Sequence, residues 1–295
     1  MSTIYLDNAA TTKVRDEIVD TMSSIIKNEY GNPSSTHSYG RSSKSIVELS
    51  RKEISNILNV KSSEIIFTSG GTEGDNMIIR NCVNNLDVRH IITSKIEHHA
   101  VGHTAMNLKN VEGIKISYVK IDKKGNVDLK DLERLLQEKD KTLVSLMHAN
   151  NEIATLLPIK KVSELCRKYN ALFHSDTVQT MAHYSFNLDE LDIDYITCAG
   201  HKFHGPKGTG FLYVNKKVIL ESFIHGGSQE RGLRGGTENV AVIVGLSKAM
   251  DLAYENLNQH QKHVQTLTIL SLAFYYNIGQ YLAYFTNLCV RFRSI

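Results

Sequence analysis

Short apolar runs and amphipathic helical stretches take turns along much of this chain, and that alternation restricts the fold more than any single motif. Glu64 to Thr68, His90 to Ser94, Ile114 to Val119, Thr142 to Met147 and Ala171 to Ser175 each read as a strand. After them come helical spacings to about Leu86, from about His99 to Leu108, from Asp128 to Glu138 and from Pro158 to Tyr169, then a turn and short helix at Thr177 to Met181. Strand followed by helix, repeated in this way, predicts an α/β fold: a mostly parallel sheet with helices on both faces. Two further apolar runs, Ile193 to Cys198 and Phe211 to Val214, bracket a glycine-rich turn. Arg15 to Lys27 and Ser42 to Leu58 read as helices ahead of the sheet. Val240 to about Leu257 reads as a helix behind the glycine- and arginine-rich loop from Gly226 to Asn239.

In such sheets ligands bind beyond the carboxyl ends of the strands. That rule selects Gly70 to Thr72, Glu97 to His99, His148 to Asn151, Asp176 to Gln179, and Gly200 to Lys202. Ser69-Gly70-Gly71-Thr72-Glu73 opens a helix, where free N–H groups and the Thr72 hydroxyl suit a phosphate; an ordinary βα turn reads the same way. Asp176 ends a strand, and a buried carboxylate there requires a cation such as a pyridinium nitrogen, or else a nearby Arg or His. His98 is a flat ring able to stack on another, or a loop histidine. Lys202 follows a buried strand, where desolvation lowers a lysine's pKa and prepares it to form a Schiff base; the alternative is a surface lysine in a loop. Asn151 and Gln179 bring amides to the same edge. Taken together, these are the groups that pyridoxal phosphate requires of a protein.

Other classes fit less well. The net charge of +3, with no concentrated basic run, argues against nucleic acid. Four cysteines, Cys82, Cys166, Cys198 and Cys289, form no CxxC pair, so neither a disulfide framework nor a cysteine zinc site is indicated. His99 and His103 stand four apart on one helical face, a spacing zinc ligands use, but no Glu follows His99 as in a metalloprotease motif; no metal site is expected. No Walker or dinucleotide fingerprint follows the first strand. The segment from Met1 to Ala10 lacks the features of a signal peptide, so the expected compartment is the cytoplasm.

Eight motifs in one order then carry a family resemblance. They are Tyr5-Leu6-Asp7-Asn8-Ala9-Ala10-Thr11-Thr12, Gly31-Asn32-Pro33-Ser34-Ser35, Phe67-Thr68-Ser69-Gly70-Gly71-Thr72-Glu73, Glu97-His98-His99-Ala100-Val101, His148-Ala149-Asn150-Asn151-Glu152, Asp176-Thr177-Val178-Gln179, Gly200-His201-Lys202, and Arg231 through Asn239. From about Ile4 to Leu257 the chain resembles the cysteine desulfurases of the nitrogen-fixation and iron–sulfur-cluster type, within the class V aminotransferase-like enzymes. The resemblance implies the large domain of a fold-type-I pyridoxal-phosphate enzyme over residues 15–258. It assigns residues 1–14 to a small domain and leaves that domain incomplete.

By the same resemblance, Lys202 carries the cofactor and later transfers protons, and Asp176 pairs with the ring nitrogen. Gln179 bonds the ring hydroxyl, and His98 stacks on the ring as a candidate acid–base group. Gly71, Thr72 and His201 hold the phosphate, Thr237 reaches the phosphate of the other subunit in a homodimer, and Asn151 helps hold the substrate carboxylate. The implied reaction converts L-cysteine to L-alanine and leaves a persulfide on an enzyme cysteine, for transfer to an iron–sulfur scaffold or another sulfur-acceptor protein. Ala199, where the family often has a serine, removes one hydrogen bond, on the order of 1 kcal/mol; Gly74 is a minor departure.

Residues 259–295 form a divergent tail. No charged residue occurs from Val264 to Val290, and seven aromatics fall between Phe274 and Phe292. The length is compatible with a membrane helix, but Gln265, Thr266, Asn277, Gln280 and Asn287 interrupt it. A truncated or frameshifted reading frame is the expectation, and no membrane span is. None of the four cysteines matches the family's persulfide position, so impaired sulfur transfer is expected. Two alternatives stay open: a non-catalytic cofactor-binding or dimerisation remnant, and a selenocysteine lyase or other class V lyase.

Overall fold

The computed structural model describes residues 4–138 and 140–266. A seven-stranded sheet runs in the order β1-β7-β6-β5-β4-β2-β3, formed by β1 (Ile65–Thr68), β2 (His90–Thr93), β3 (Lys115–Tyr118), β4 (Thr142–Ser145), β5 (Leu172–Asp176), β6 (Tyr195–Ala199) and β7 (Gly210–Val214). The pairs β3-β2-β4-β5-β6 are parallel, whereas β7 lies antiparallel to both β6 and β1. Six strands therefore share one direction, and their carboxyl ends open on one edge.

Helices cover both faces, as expected from strands that are apolar on both sides. Alternate residues serve opposite cores. Ile65, Phe67, Ile196, Cys198, Phe211 and Tyr213 face a core built with α1 (Asp16–Asn28), α2 (Ser38–Ile57), α6 (Ile159–Lys168) and α7 (Val240–Glu255). Ile66, Leu143, Tyr195 and Leu212 face Met77, Ile78 and Cys82 of α3 (Gly71–Asn84) and Val101, Ala105 and Leu108 of α4 (His99–Glu112). The amphipathic helix α5 (Leu129–Leu136) is started by Asp128, whose carboxylate accepts from the N–H groups of Lys130 and Asp131 at 2.9 and 3.2 Å.

One sequence expectation is corrected. Thr177 to Met181 is a turn, not a short helix. The Asp176 carboxylate accepts from Val178 N at 2.9 Å, Thr180 and Met181 both donate to the Thr177 carbonyl at 2.8 Å, and Ala182 takes φ +64°, which ends any helical run. Residues 257–266 continue helically beyond α7. Among the described residues no helix is long and apolar enough to cross a membrane. The remainder of the tail, with Cys289, lies outside the described residues.

Candidate active site

The carboxyl edge of the sheet gathers the selected residues from separate elements. Gly71 and Thr72 are the first two residues of α3, reached from β1 through Gly70 at φ +144°, ψ −171°, a conformation open to glycine alone. No side chain caps this helix start, so the first N–H groups point out of the helix without a partner and favour an anion. His98 is the N-cap of α4: its Nδ1 accepts from Ala100 N at 3.2 Å, which leaves the exposed ring with Nε2 as the donor. Asp176 closes β5 at 5% exposure. Gln179 follows in the corrected turn, and His201 and Lys202 lie in the 3₁₀ turn Gly200–Lys202 after β6.

The N-terminal loop lies across the lysine. Lys202 Nζ donates to the carbonyls of Ala9 and Ala10 at 2.5 and 2.9 Å, and Gln179 Nε2 donates to the same Ala9 carbonyl at 3.0 Å. Thr12 binds the His201 carbonyl through both its N–H and its hydroxyl, each at 2.9 Å, and the Thr12 hydroxyl accepts from His204 N at 2.7 Å. Thr11 Oγ1 lies 3.1 Å from His201 Nδ1. These backbone contacts escape a reading by residue type, because carbonyls carry no side-chain signature.

Electrostatics suit the chemistry expected of each group. Burial lowers the pKa of Lys202, against the opposing pull of Asp176 and then Asp7. Burial pushes Asp176 up to about 7, with the neighbouring Asp75 acting in the same direction. His201 is held down at about 4 by burial and by Lys202 and Lys207, so its ring is neutral near pH 7. Asp75, the fifth residue of α3, is a further member that sequence reasoning missed: it brings an oxygen within 4.8 Å of ligand-type atoms of both His98 and Asp176. In sequence it reads as an ordinary charge near a helix start. The His99 and His103 rings are tilted at 38° with centroids 4.8 Å apart, but both are exposed and lie outside that cluster.

Two expected residues are not bonded to this group. Asn151, half-buried in the turn after β4, donates to Glu152 at 2.9 Å. Thr237 is exposed in the loop before α7. That loop is tied to the phosphate-type turn by Arg234, whose Nε and Nη2 donate to the two Glu73 oxygens at 2.8 and 3.1 Å.

The class-V aminotransferase family model matches residues 4–287, well past Leu257, the end of the resemblance read from the sequence. The chain belongs to this family. A cysteine desulfurase IscS from Dictyoglomus turgidum is 46% identical over 269 residues, covering 90% of this chain and 67% of that protein. A solved NifS-like protein superposes with TM-score 0.89 at 41% identity, over 94% of this chain and 77% of the other. A structure described as SspA in complex with cysteine gives TM-score 0.80 at 33% identity, over 84% and 72%. The chain spans about two thirds of the length of the curated relatives it matches.

The family is enzymatic and depends on pyridoxal 5′-phosphate. The residues present fit that group. The uncapped start of α3 suits a phosphate, and the turn has no room for a larger residue at Gly71, where a Cβ would meet Val178 Cγ2 at 2.8 Å. Asp176, buried and holding one hydrogen bond from Val178, matches the need for a partner to a protonated ring nitrogen.

Proposed function

We propose that this chain is the cofactor-binding part of a pyridoxal-phosphate-dependent cysteine desulfurase, acting on L-cysteine to give L-alanine and transferable sulfur. The observation that carries the reading is the gathering of Lys202, Asp176, His98 and Gln179 at one sheet edge beside the uncapped helix start at Gly71 and Thr72. The printed names of the relatives, cysteine desulfurase among them, and the cysteine complex of SspA support the choice of substrate.

Bound pyridoxal phosphate supplies an electron sink for bonds at the α-carbon of an amino acid. Lys202 holds the cofactor and, with its lowered pKa, moves a proton at that carbon. Asp176 would keep the ring nitrogen protonated, Gln179 would bond the ring hydroxyl, and His98 would stack on the ring. His201, Gly71 and Thr72 hold the phosphate. Asn151 takes the substrate carboxylate, and in a homodimer Thr237 reaches the partner subunit's phosphate site. An iron–sulfur scaffold or similar acceptor receives the sulfur. Residues 1–14 belong to a small domain, and residues 15–258 form the cofactor domain.

A second reading, cofactor binding without sulfur transfer, is favoured by one observation. Cys82, Cys166 and Cys198 are fully buried, and burial pushes the Cys82 thiol up to about 12 and the other two well above the ordinary value. Buried, protonated thiols do not accept sulfur, so none of the cysteines among the described residues is suited to that step. Purified protein decides between the two. A visible absorbance band of bound cofactor, absent in Lys202→Ala, is expected under both. Release of sulfide and alanine from L-cysteine with a reductant supports the desulfurase, and a coloured protein without turnover supports the second reading. A colourless protein that takes up no pyridoxal phosphate refutes both, and faster selenide release from selenocysteine would move the assignment to a selenocysteine lyase.

A further inference from the structure

Asp75 has no role in the reaction as assigned above, yet it is a carboxylate buried beside the site. It is 1% exposed, neither carboxylate oxygen has a hydrogen bond of ordinary geometry among the described residues, and the neighbouring Thr197 hydroxyl is the one group that favours its ionised form by hydrogen bonding. A buried polar group in that condition calls for a reason. Its neighbours come from three elements. From β5, His174 places Nε2 3.5 Å from Asp75 Oδ1, and Asp176 lies within 4.8 Å. From the N-cap of α4, His98 lies within the same distance, with Glu97 just before it; from β6 comes the Thr197 hydroxyl.

None of these supplies Asp75 with a full counter-charge. His174 is occupied at both nitrogens, Nδ1 with Ser145 Oγ at 2.9 Å and Nε2 with Thr197 Oγ1 at 3.0 Å, and burial holds its pKa at about 4, so the ring is neutral. Glu97 is another carboxyl, bonded by Ser94 at 2.7 Å and Met147 N at 2.9 Å. His98 is exposed and stands on the solvent side of the pair. Two buried carboxylates this close cannot both ionise without a cation between or beside them.

We propose that Asp75 is a positioning residue that acts through Asp176, making this strand end doubly acidic and so selecting a guest whose ring nitrogen carries a proton. The inference rests on the reading in which Asp176 meets the ring nitrogen. Without such a guest the pair retains a proton; on binding, that proton passes to the ring nitrogen, or to water where the ring already carries one, and the charges of the two carboxylates together hold the ring N–H. Asp75 itself touches neither ring nor substrate.

The test compares equilibrium binding of pyridoxal phosphate with binding of its 1-deaza analogue, which has carbon in place of the ring nitrogen. Wild type, Asp75→Asn, Asp75→Ser and Asp176→Asn are titrated after circular dichroism confirms the fold. Wild type is expected to prefer the natural cofactor, and each Asp75 substitution to cut that preference about tenfold, the equivalent of one pKa unit. Asp176→Asn is expected to abolish it. An unchanged preference in the Asp75 variants beside a lost one in Asp176→Asn overturns the role of Asp75 and leaves that of Asp176 standing. An unchanged preference in all variants overturns both. A wild type that does not discriminate overturns the proposal without recourse to any variant.

Discussion

Lys202 sits where two opposing demands meet. Burial favours its neutral amine, while Asp176 and Asp7 favour the ammonium, and burial prevails. The same edge holds carboxyls displaced the other way, which gives a pH signature to the cofactor-free protein. Asp75 ionises near the ordinary aspartate value when unfolded but at about 7 in the fold. Between those limits the folded state binds the extra proton, so this group's contribution to stability falls as pH rises from about 4 to about 7. His148, His174 and His201, all lowered to about 4, oppose it: the unfolded chain binds their protons between about 4 and 6.5, so their contribution rises with pH. Comparing Asp75→Asn with wild type removes this carboxyl together with its upward push on Asp176. The variant is expected to gain relative stability from about pH 4 to about pH 7, by at most about 1.4 kcal/mol per pH unit for each proton the pair takes up on folding, and then level off. Urea unfolding at about pH 5 and about pH 7 measures it; a pH-independent difference would contradict the assignment.

The turn between β1 and α3 is the element that, on the proposed reading, fits a sheet edge to hold a phosphate. Gly70 supplies the backbone angle, and Gly71 supplies the missing side chain, since a Cβ would crowd Val178 Cγ2 at 2.8 Å. Gly71→Ala is therefore expected to destabilise the fold by about 1–3 kcal/mol, the usual range for overpacking, and to weaken pyridoxal phosphate binding by displacing the turn. A titration showing wild-type affinity would remove the turn from the site. At this scale much was legible in the sequence. Strand cores such as Ile65–Thr68 and Gly210–Val214 show as apolar runs, and the carboxyl-end rule, applied along the sheet, leads to Gly71, His98, Asp176 and Lys202. The direction of β7 was not legible, because an apolar run has no polarity. Nor was the turn at Thr177 to Met181, which a side-chain bond from Asp176 to Val178 N diverts from helix. Asp75 was hidden because burial, not residue type, makes it unusual.

Across the whole molecule, one buried ion pair fastens the helical layer to the sheet and to the glycine-rich loop. Arg51 of α2 binds Glu230 through Nη1 at 2.6 Å and Nη2 at 2.8 Å, donates to the Ile65 carbonyl at 2.9 Å, and lies 4.5 Å above the Phe67 ring. Glu230 in turn accepts from Phe67 N at 2.9 Å and holds itself and Arg231 at positive φ, 46° and 58°. Removing one partner strands the other in a buried setting, so Arg51→Met is expected to destabilise the protein by about 3–5 kcal/mol. A shift in the urea midpoint reads this, and an unchanged midpoint would show the pair to be dispensable. The same loop carries Thr237, so loss of the pair is also expected to disturb any contact between subunits.

All of this converges on one lysine. Incubation with pyridoxal phosphate, reduction with borohydride and peptide mapping by mass spectrometry would locate the covalent attachment directly. The account predicts a single pyridoxyl adduct on Lys202, lost in Lys202→Arg. An adduct on another lysine, or none, would contradict it.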